Sequence, residues 1–210
     1  MSSQKSIPAP ALAREPQRER GKLRVAALLD AGAALFAEKG YGGATMTEIA
    51  ARAGAAIGSL YQFFPSKEAL ADALLADYSA RTGRALDQIA ARAASLSAGG
   101  VADALVDLML EFRAHRAVVV ALIDARGDLA GERAALRNAM LRRIETILRA
   151  ANPGLRRAKA ETMAIMILHV LKAVPGLAEE EEEGEGRRLV AEARETIRLY
   201  VAHRTGRGER

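Results

Sequence analysis

Apolar positions along the chain recur three and four residues apart, the spacing of one face of an α-helix. The first such run starts at Arg24, carries Val25, Leu28, Leu29, Leu35 and Phe36, and ends at Gly40. A short loop over residues 41–44 precedes Thr45-Met46-Thr47-Glu48, where a hydroxyl stands three residues before a carboxylate, the signature of a capping box. The pattern then predicts a short helix burying Met46, Ile49 and Ala50 and turning at Gly54. A second short segment carries Ile57, Leu60, Tyr61 and Phe64 and is broken by Pro65. Ser66 is a natural N-cap for a long helix with Leu70, Leu74, Leu75, Tyr78, Leu86 and Ile89, running to about Ser95.

Beyond Gly99-Gly100 the same spacing predicts helices over 101–115 and 117–125. Gly127 and Gly131 bracket the start of another, which runs to Ala151 and stops at Asn152-Pro153-Gly154. The last two helices are expected near 155–174 and 186–203, separated by Pro175-Gly176 and an acidic loop. That makes nine helices, and strand-like alternation dominates no segment, so the expected fold class is all-α. No internal repeat is evident.

Composition adds bounds. Half of the 210 residues are apolar, but Phe and Tyr number four each and Trp is absent, so the core must be aliphatic. There is no cysteine, which excludes disulfides and Cys-ligated zinc. No stretch approaches about 20 uninterrupted apolar residues, and the N-terminus lacks an apolar signal core; a soluble, cytoplasmic protein is expected. Residues 1–20 hold Pro8, Pro10 and Pro16 and read as a disordered arm. A basic arm reaching a DNA minor groove through Lys5, Arg14, Arg18 and Arg20 is the sharper alternative. The formal charge of +5 permits nucleic-acid binding without arguing strongly for it. The consecutive glutamates 179–183 read as a solvated loop rather than a cation cage.

Two short helices joined at a glycine form a compact pair whose second member can enter a major groove. Alone, Ala50-x-x-x-Gly54 is weak evidence, since many helical hairpins satisfy it. The run over residues 45–70, TMTEIAARAGAAIGSLYQFFPSKEAL, raises it. Its Ile-Ala-x-x-Ala-Gly, its Gly-x-Leu-Tyr-x-x-Phe and its Pro-x-Lys-Glu-x-Leu resemble the DNA-binding signature of the tetracycline-repressor (TetR) family. Leu35-Phe36-x-x-x-Gly40-Tyr41 resembles that family's first helix, and the likeness covers about residues 24–75. It implies a helix-turn-helix domain over 21–68, a helical regulatory and dimerisation domain over 69–204 and a tail over 205–210.

The matched positions then acquire expected roles. Thr45 and Thr47, at a helix N-terminus, suit phosphate. Gly58 leaves room for the DNA backbone, Tyr61 packs its ring inward and offers its hydroxyl to phosphate, and Lys67 adds a cation at a helix start. Ala56, Ile57, Ser59 and Gln62 face bases or backbone, with Gln62 able to read adenine or guanine and Ala56 and Ile57 able to touch only thymine methyls. Where the family commonly has Val-Ser after the turn glycine, this chain has Ala55-Ala56, and a common lysine is replaced by Ile57. The capping hydroxyl is thus missing, which should lower non-specific affinity.

By the same resemblance, the two last helices pair with their copies in a homodimer, and the helices between about 100 and 174 enclose a small-molecule effector. Candidate effector contacts are Met109, Phe112, His115, Leu122, Arg126, Met140, Ile144, Met166 and His169. Core packing is the competing role for each apolar member, and His169 is as readily a satisfied core histidine. The expected function is a dimeric repressor that binds a palindromic DNA operator and is released by a small apolar or amphipathic ligand. The alternative is a ligand-sequestering or architectural protein with a weakened helix-turn-helix. No nucleophile, base and oxyanion set is assembled, so no enzyme, cofactor or metal site is expected.

Overall fold

The computed structural model describes residues 19–180 and 184–206. Most of the expected arm (residues 1–18), Glu181, Glu182 and Glu183 of the acidic run, and the tail from 207 lie outside the described residues. The chain is all-α: among the described residues there are nine α-helices, one 3-10 turn and no strand. They are α1 (Glu19–Gly43), α2 (Met46–Arg52), α3 (Ile57–Phe63), α4 (Lys67–Arg92), α5 (Ala98–Glu111), α6 (Arg113–Ala125), α7 (Ala130–Ala151), α8 (Arg157–Leu177) and α9 (Glu185–Thr205). The 3-10 turn, Ala93–Ser95, follows α4 directly.

Several ends fall where local chemistry placed them. Gly40 takes φ 70°, a left-handed geometry that L side chains resist, and interrupts α1 there. Gly54, at φ 61°, turns the chain between α2 and α3. The Ser66 hydroxyl accepts the Ala69 N–H at 3.2 Å and starts α4.

Five boundaries differ from the pattern. Helix α1 begins at Glu19, not Arg24, because its first turn is solvent-facing and carries no stripe; Leu23 is 71% exposed. Residues 41–43, expected as loop, form a further helical turn after the Gly40 break. The predicted helix over 101–115 is instead α5 and the start of α6, divided at Phe112. Gly99 and Gly100 lie inside the first turn of α5, because Ser97 caps it by accepting the Gly100 N–H at 3.1 Å. Helix α8 continues through Pro175 to Leu177. In a last turn the missing proline N–H removes one bond only, and the ring is buried.

The chain divides into two compact units. One comprises the described residues up to Asp77 together with Ala117–Arg126; the other comprises Tyr78–Arg116 and the described residues from Gly127 onward. The core of the first is built from Leu28, Phe36, Ile49, Leu60, Phe64 and Leu70, joined by Val118 and Leu122 of α6. In the second, α5 packs on α8 and α9, and α8 also packs on α7 and α9. Its core is aliphatic, as composition demanded, with Leu105, Ile144, Ile147, Leu148 and Met163 fully buried.

Helix α8 is long and apolar enough to cross a membrane by length and hydropathy, yet 44% of its most apolar window is buried inside the chain. Its inner face buries Met163, Ile167, Leu168 and Leu171. Its outer face leaves Ile165 and Met166 39% and 52% exposed.

One glycine fixes a close approach at the junction of α8 and α9. A Cβ at Gly186 would lie 3.0 Å from the Leu177 carbonyl oxygen and 3.1 Å from that of Ala178, and backbone cannot step aside. Gly186→Ala is therefore expected to destabilise the helical unit by about 1–3 kcal/mol, despite alanine's better helix propensity. Thermal unfolding followed by circular dichroism measures this; an unchanged or raised melting temperature contradicts the packing.

Candidate nucleic-acid interface

Helices α2 and α3 form the predicted helix-turn-helix. Thr45 and Glu48 make the full capping box: the Thr45 hydroxyl accepts the Glu48 N–H at 3.3 Å, and the Glu48 carboxylate accepts the Thr45 N–H at 3.0 Å. The Thr45 hydroxyl also donates to that carboxylate at 2.7 Å, and Lys39 Nζ donates to it at 2.6 Å. The Lys39 ammonium and the Thr45 donors hold the Glu48 carboxyl at about 2. Thr45 is thus occupied inside the protein, whereas Thr47 is exposed beside it.

On α3, Leu60 and, at its end, Phe64 anchor the helix in the core. Ile57, Gly58, Tyr61 and Gln62 face outward. A Cβ at Gly58 would meet nothing within 4 Å, which leaves this edge open to close approach. Ala56 is the N-cap of α3, with extended backbone and no side-chain cap, as the Ala55-Ala56 departure implied. Tyr61 departs from expectation: at 49% exposure its ring is half outside rather than packed inward. One short helix with a single buried residue has too little core surface to take both its aromatic rings.

Lys67 also departs from its expected role. Its ammonium donates to the carbonyls of Tyr41 at 2.7 Å and Ala44 at 3.1 Å, and lies 4.6 Å from the centre of the Tyr41 ring. These carbonyls end the α1 segment, where helix carbonyls lack helical partners and a cation is favoured. Lys67 is therefore a clasp between the turn before α2 and the start of α4. Tyr41 reinforces it by donating to Glu68 Oε1 at 3.0 Å. Burial, then that hydrogen bond, pushes the Tyr41 hydroxyl up to about 12.

Sequence reasoning missed Arg24. Helix α3 carries no charged side chain, Arg52 is held in a two-pronged pair by Glu38 at 2.6 and 2.7 Å, and Lys39 is held by Glu48. The Arg24 guanidinium reaches across from α1 to the Ser59 hydroxyl at 3.4 Å and brings an exposed cation to the reading helix. Its only signal in the sequence was a polar position beside the α1 stripe, and 35 residues separate it from Ser59.

The effector candidates fall in both units. Leu122 is 1% exposed in the core of the first unit, and Arg126 belongs there too, donating to Asp72 Oδ1 at 2.5 Å. Met109 and Ile144 are core residues of the second unit, with Met140 packed partly buried against that core. Met166 and His169 lie on the exposed face of α8, with His169 Nδ1 at 2.8 Å from the Ile165 carbonyl. Phe112 and His115 do meet, with ring centroids 6.4 Å apart, and they line a groove of about 330 Å³ with Arg81, Arg84 and Gln88. Among the described residues, no cluster of three or more His, Cys, Asp or Glu side chains could hold a metal ion.

A capped short helix, a positive-φ glycine and a second short helix with an exposed outer edge define a helix-turn-helix DNA-binding protein. Residues 28–74 match the model of the bacterial regulatory proteins of the tetR family, and residues 97–200 match that of the tetracyclin repressor-like C-terminal domain. The chain belongs to the TetR family of transcriptional regulators. No curated protein matches it. Similar solved structures include a Mesorhizobium loti protein assigned to the TetR family (18% identity, TM-score 0.68, covering 89% of this chain and 98% of that one). A transcriptional regulator from Aquifex aeolicus is 24% identical, with TM-score 0.61 and coverage of 84% and 99%. A TetR-family regulator from Streptomyces coelicolor is 25% identical, with TM-score 0.57 and coverage of 86% and 98%.

Two outcomes follow. Arg24→Ala is expected to flatten the slope of log affinity against log salt by about 1, the loss of one phosphate contact. Lys67→Ala is expected to lower melting temperature and affinity with no change in slope, since its ammonium faces carbonyls. Anisotropy titrations on operator DNA across a salt series check both, and a slope change of about 1 for Lys67→Ala would return that ammonium to phosphate. The capping box predicts a pH effect. Because the folded Glu48 carboxyl lies below its ordinary 4.5, its contribution is complete above pH 4.5 and is lost as pH falls toward 2. The melting-temperature gap between wild type and Glu48→Gln should close over that range.

Proposed function

We propose that the chain is a dimeric repressor that binds a palindromic operator through α3 and is released by a small amphipathic ligand. The observation that carries the reading is the open outer edge of α3, formed by Ile57, Gly58, Tyr61 and Gln62 over a core-anchored scaffold. With Thr47, Ala56 and the Arg24–Ser59 pair it supplies methyl contacts, one amide and a cation. On this reading, thymine methyls and phosphates carry more of the recognition than charged base contacts do.

Dimerisation is supported by what α8 and α9 leave uncovered. Ile165 and Met166 on α8 and Leu199 on α9, the last 52% exposed, are large apolar side chains that the described residues leave uncovered. A two-fold axis through that face repeats α3 at successive half-sites, about 34 Å apart. An amphipathic ligand is favoured over a purely apolar one by the cations near Lys172. Burial, then Arg137, Arg116 and Arg133, holds its ammonium below the ordinary range. Repression, rather than activation, follows the family's habit. A DNA-bound role sets the protein in the cytoplasm, and no catalytic step is assigned to it.

The test is a footprint on the region upstream of the protein's own gene. Wild type is expected to give salt-sensitive, two-fold symmetric protection, and Tyr61→Ala to lose most of it. Met166→Asp is expected to give a folded monomer by sedimentation and to weaken protection at least tenfold. Uniform protection of any sequence would instead favour an architectural protein. No protection together with ligand-induced stabilisation would favour sequestration.

A further inference from the structure

A cavity of about 870 Å³ lies at the turn between α7 and α8 and the end of α9. Arg156, Lys159, His203 and Arg204 line it, and among the described residues no Asp or Glu does. Nearby carboxylates are already taken: Arg157 holds Glu161 at 2.9 Å and Glu145 at 3.6 Å, and Arg149 holds Glu145 at 3.5 Å. Among the described residues, no ion pair includes Arg156, Lys159 or Arg204. The other polar side chains of the lining serve their own helices: Asn152 donates to the Leu148 carbonyl at 3.2 Å and Thr205 to that of Val201 at 2.8 Å.

One atom is left without an account. Arg204 Nε is buried and has no hydrogen-bond partner. Desolvating a guanidinium donor without an acceptor is costly, and an ordered water or a bound ion is one way such a donor is satisfied. The end of α9 explains part of the charge, since cations favour a helix C-terminus and His203 and Arg204 stand in its last turn. It does not explain Arg156 and Lys159, which belong to another element, nor the unpaired Nε. The side-chain cap that would satisfy the first N–H groups of α8 is also missing at Arg156.

We infer that this cavity binds a small phosphate-bearing anion, with Arg204 and Lys159 as its principal contacts and Arg156 at its rim. Guanidinium groups match phosphate oxygens two at a time, and a volume of this size admits a phosphorylated metabolite rather than a single ion. The site uses residues distinct from the candidate effector contacts and from the α2–α3 interface, so it stands whether or not the operator reading holds.

The probe is inorganic pyrophosphate, titrated into the full-length protein by calorimetry in a phosphate-free buffer. Saturable binding of one pyrophosphate per chain is expected, with Lys159→Ala and Arg204→Ala each weakening it roughly tenfold or more. Arg204→Lys should recover only part of the loss, because an ammonium cannot grip two oxygens. Arg92→Ala, an exposed cation of the same unit that lines neither this cavity nor the Phe112 groove, should bind as wild type does. Circular dichroism melts show that each variant is folded. Three results would overturn the inference: no saturable heat up to about 10 mM pyrophosphate, equal binding by the Lys159→Ala/Arg204→Ala double variant, or equal loss of binding in Arg92→Ala. The last two would mean that pyrophosphate is held by general basic charge.

Discussion

A single ammonium organises the DNA-binding unit. Lys67 Nζ sits on the carbonyls that α1 leaves unpaired where Gly40 breaks it, and against the face of Tyr41. The chain must turn sharply there to enter α2, and a sharp turn exposes carbonyl groups that need donors. By meeting them from the first residue of α4, Lys67 ties the turn that precedes the helix-turn-helix to the helix that follows it. Tyr41 and Glu68 repeat the link one bond further out. The orientation of α2 and α3 on α1 and α4 rests on this contact together with the aliphatic core beneath it.

On that scaffold the reading edge is spare. Helix α3 has no side-chain cap and no charge, and its outward side chains are an isoleucine, a glycine, a tyrosine and a glutamine. Cations elsewhere in the unit are held in ion pairs: Arg52 by Glu38, Lys39 by Glu48 and Arg126 by Asp72. Positive charge beside α3 therefore comes from α1, through Arg24 on Ser59. On the proposed reading, one helix supplies shape and methyl contacts and another supplies attraction for the phosphate backbone.

The helical unit distributes its chemistry differently. Its interior is aliphatic and closed around Met109, Ile144 and Met163, and its polar groups collect at the margins. Cations gather near Lys172 and again at the turn between α7 and α8, while large apolar side chains stand exposed on α8 and α9. The α5–α6 break falls at Phe112, where the ring meets Tyr78 edge-on at 6.4 Å, rather than after residue 115 where periodicity placed it. The residues on either side of Phe112 are exposed, so no apolar stripe marks the break.

Local features carried most of what the chain alone determined: the all-α class, the capping box at Thr45, the positive-φ turns at Gly40 and Gly54, the core assignment of Leu60 and Phe64, and the missing cap at Ala56. Each depends on residues within about one helical turn, where spacing sets contact directly. Tertiary structure decided the partners. Lys67 meets Tyr41 across 26 positions, Arg24 meets Ser59 across 35, and Arg126 meets Asp72 across 54. A long cationic side chain takes whichever acceptor the fold brings near, so its sequence neighbours do not reveal whether it will face phosphate or its own backbone. The basic cavity was hidden for the same reason: its walls come from the start of α8 and the end of α9, and neither wall alone marks a site.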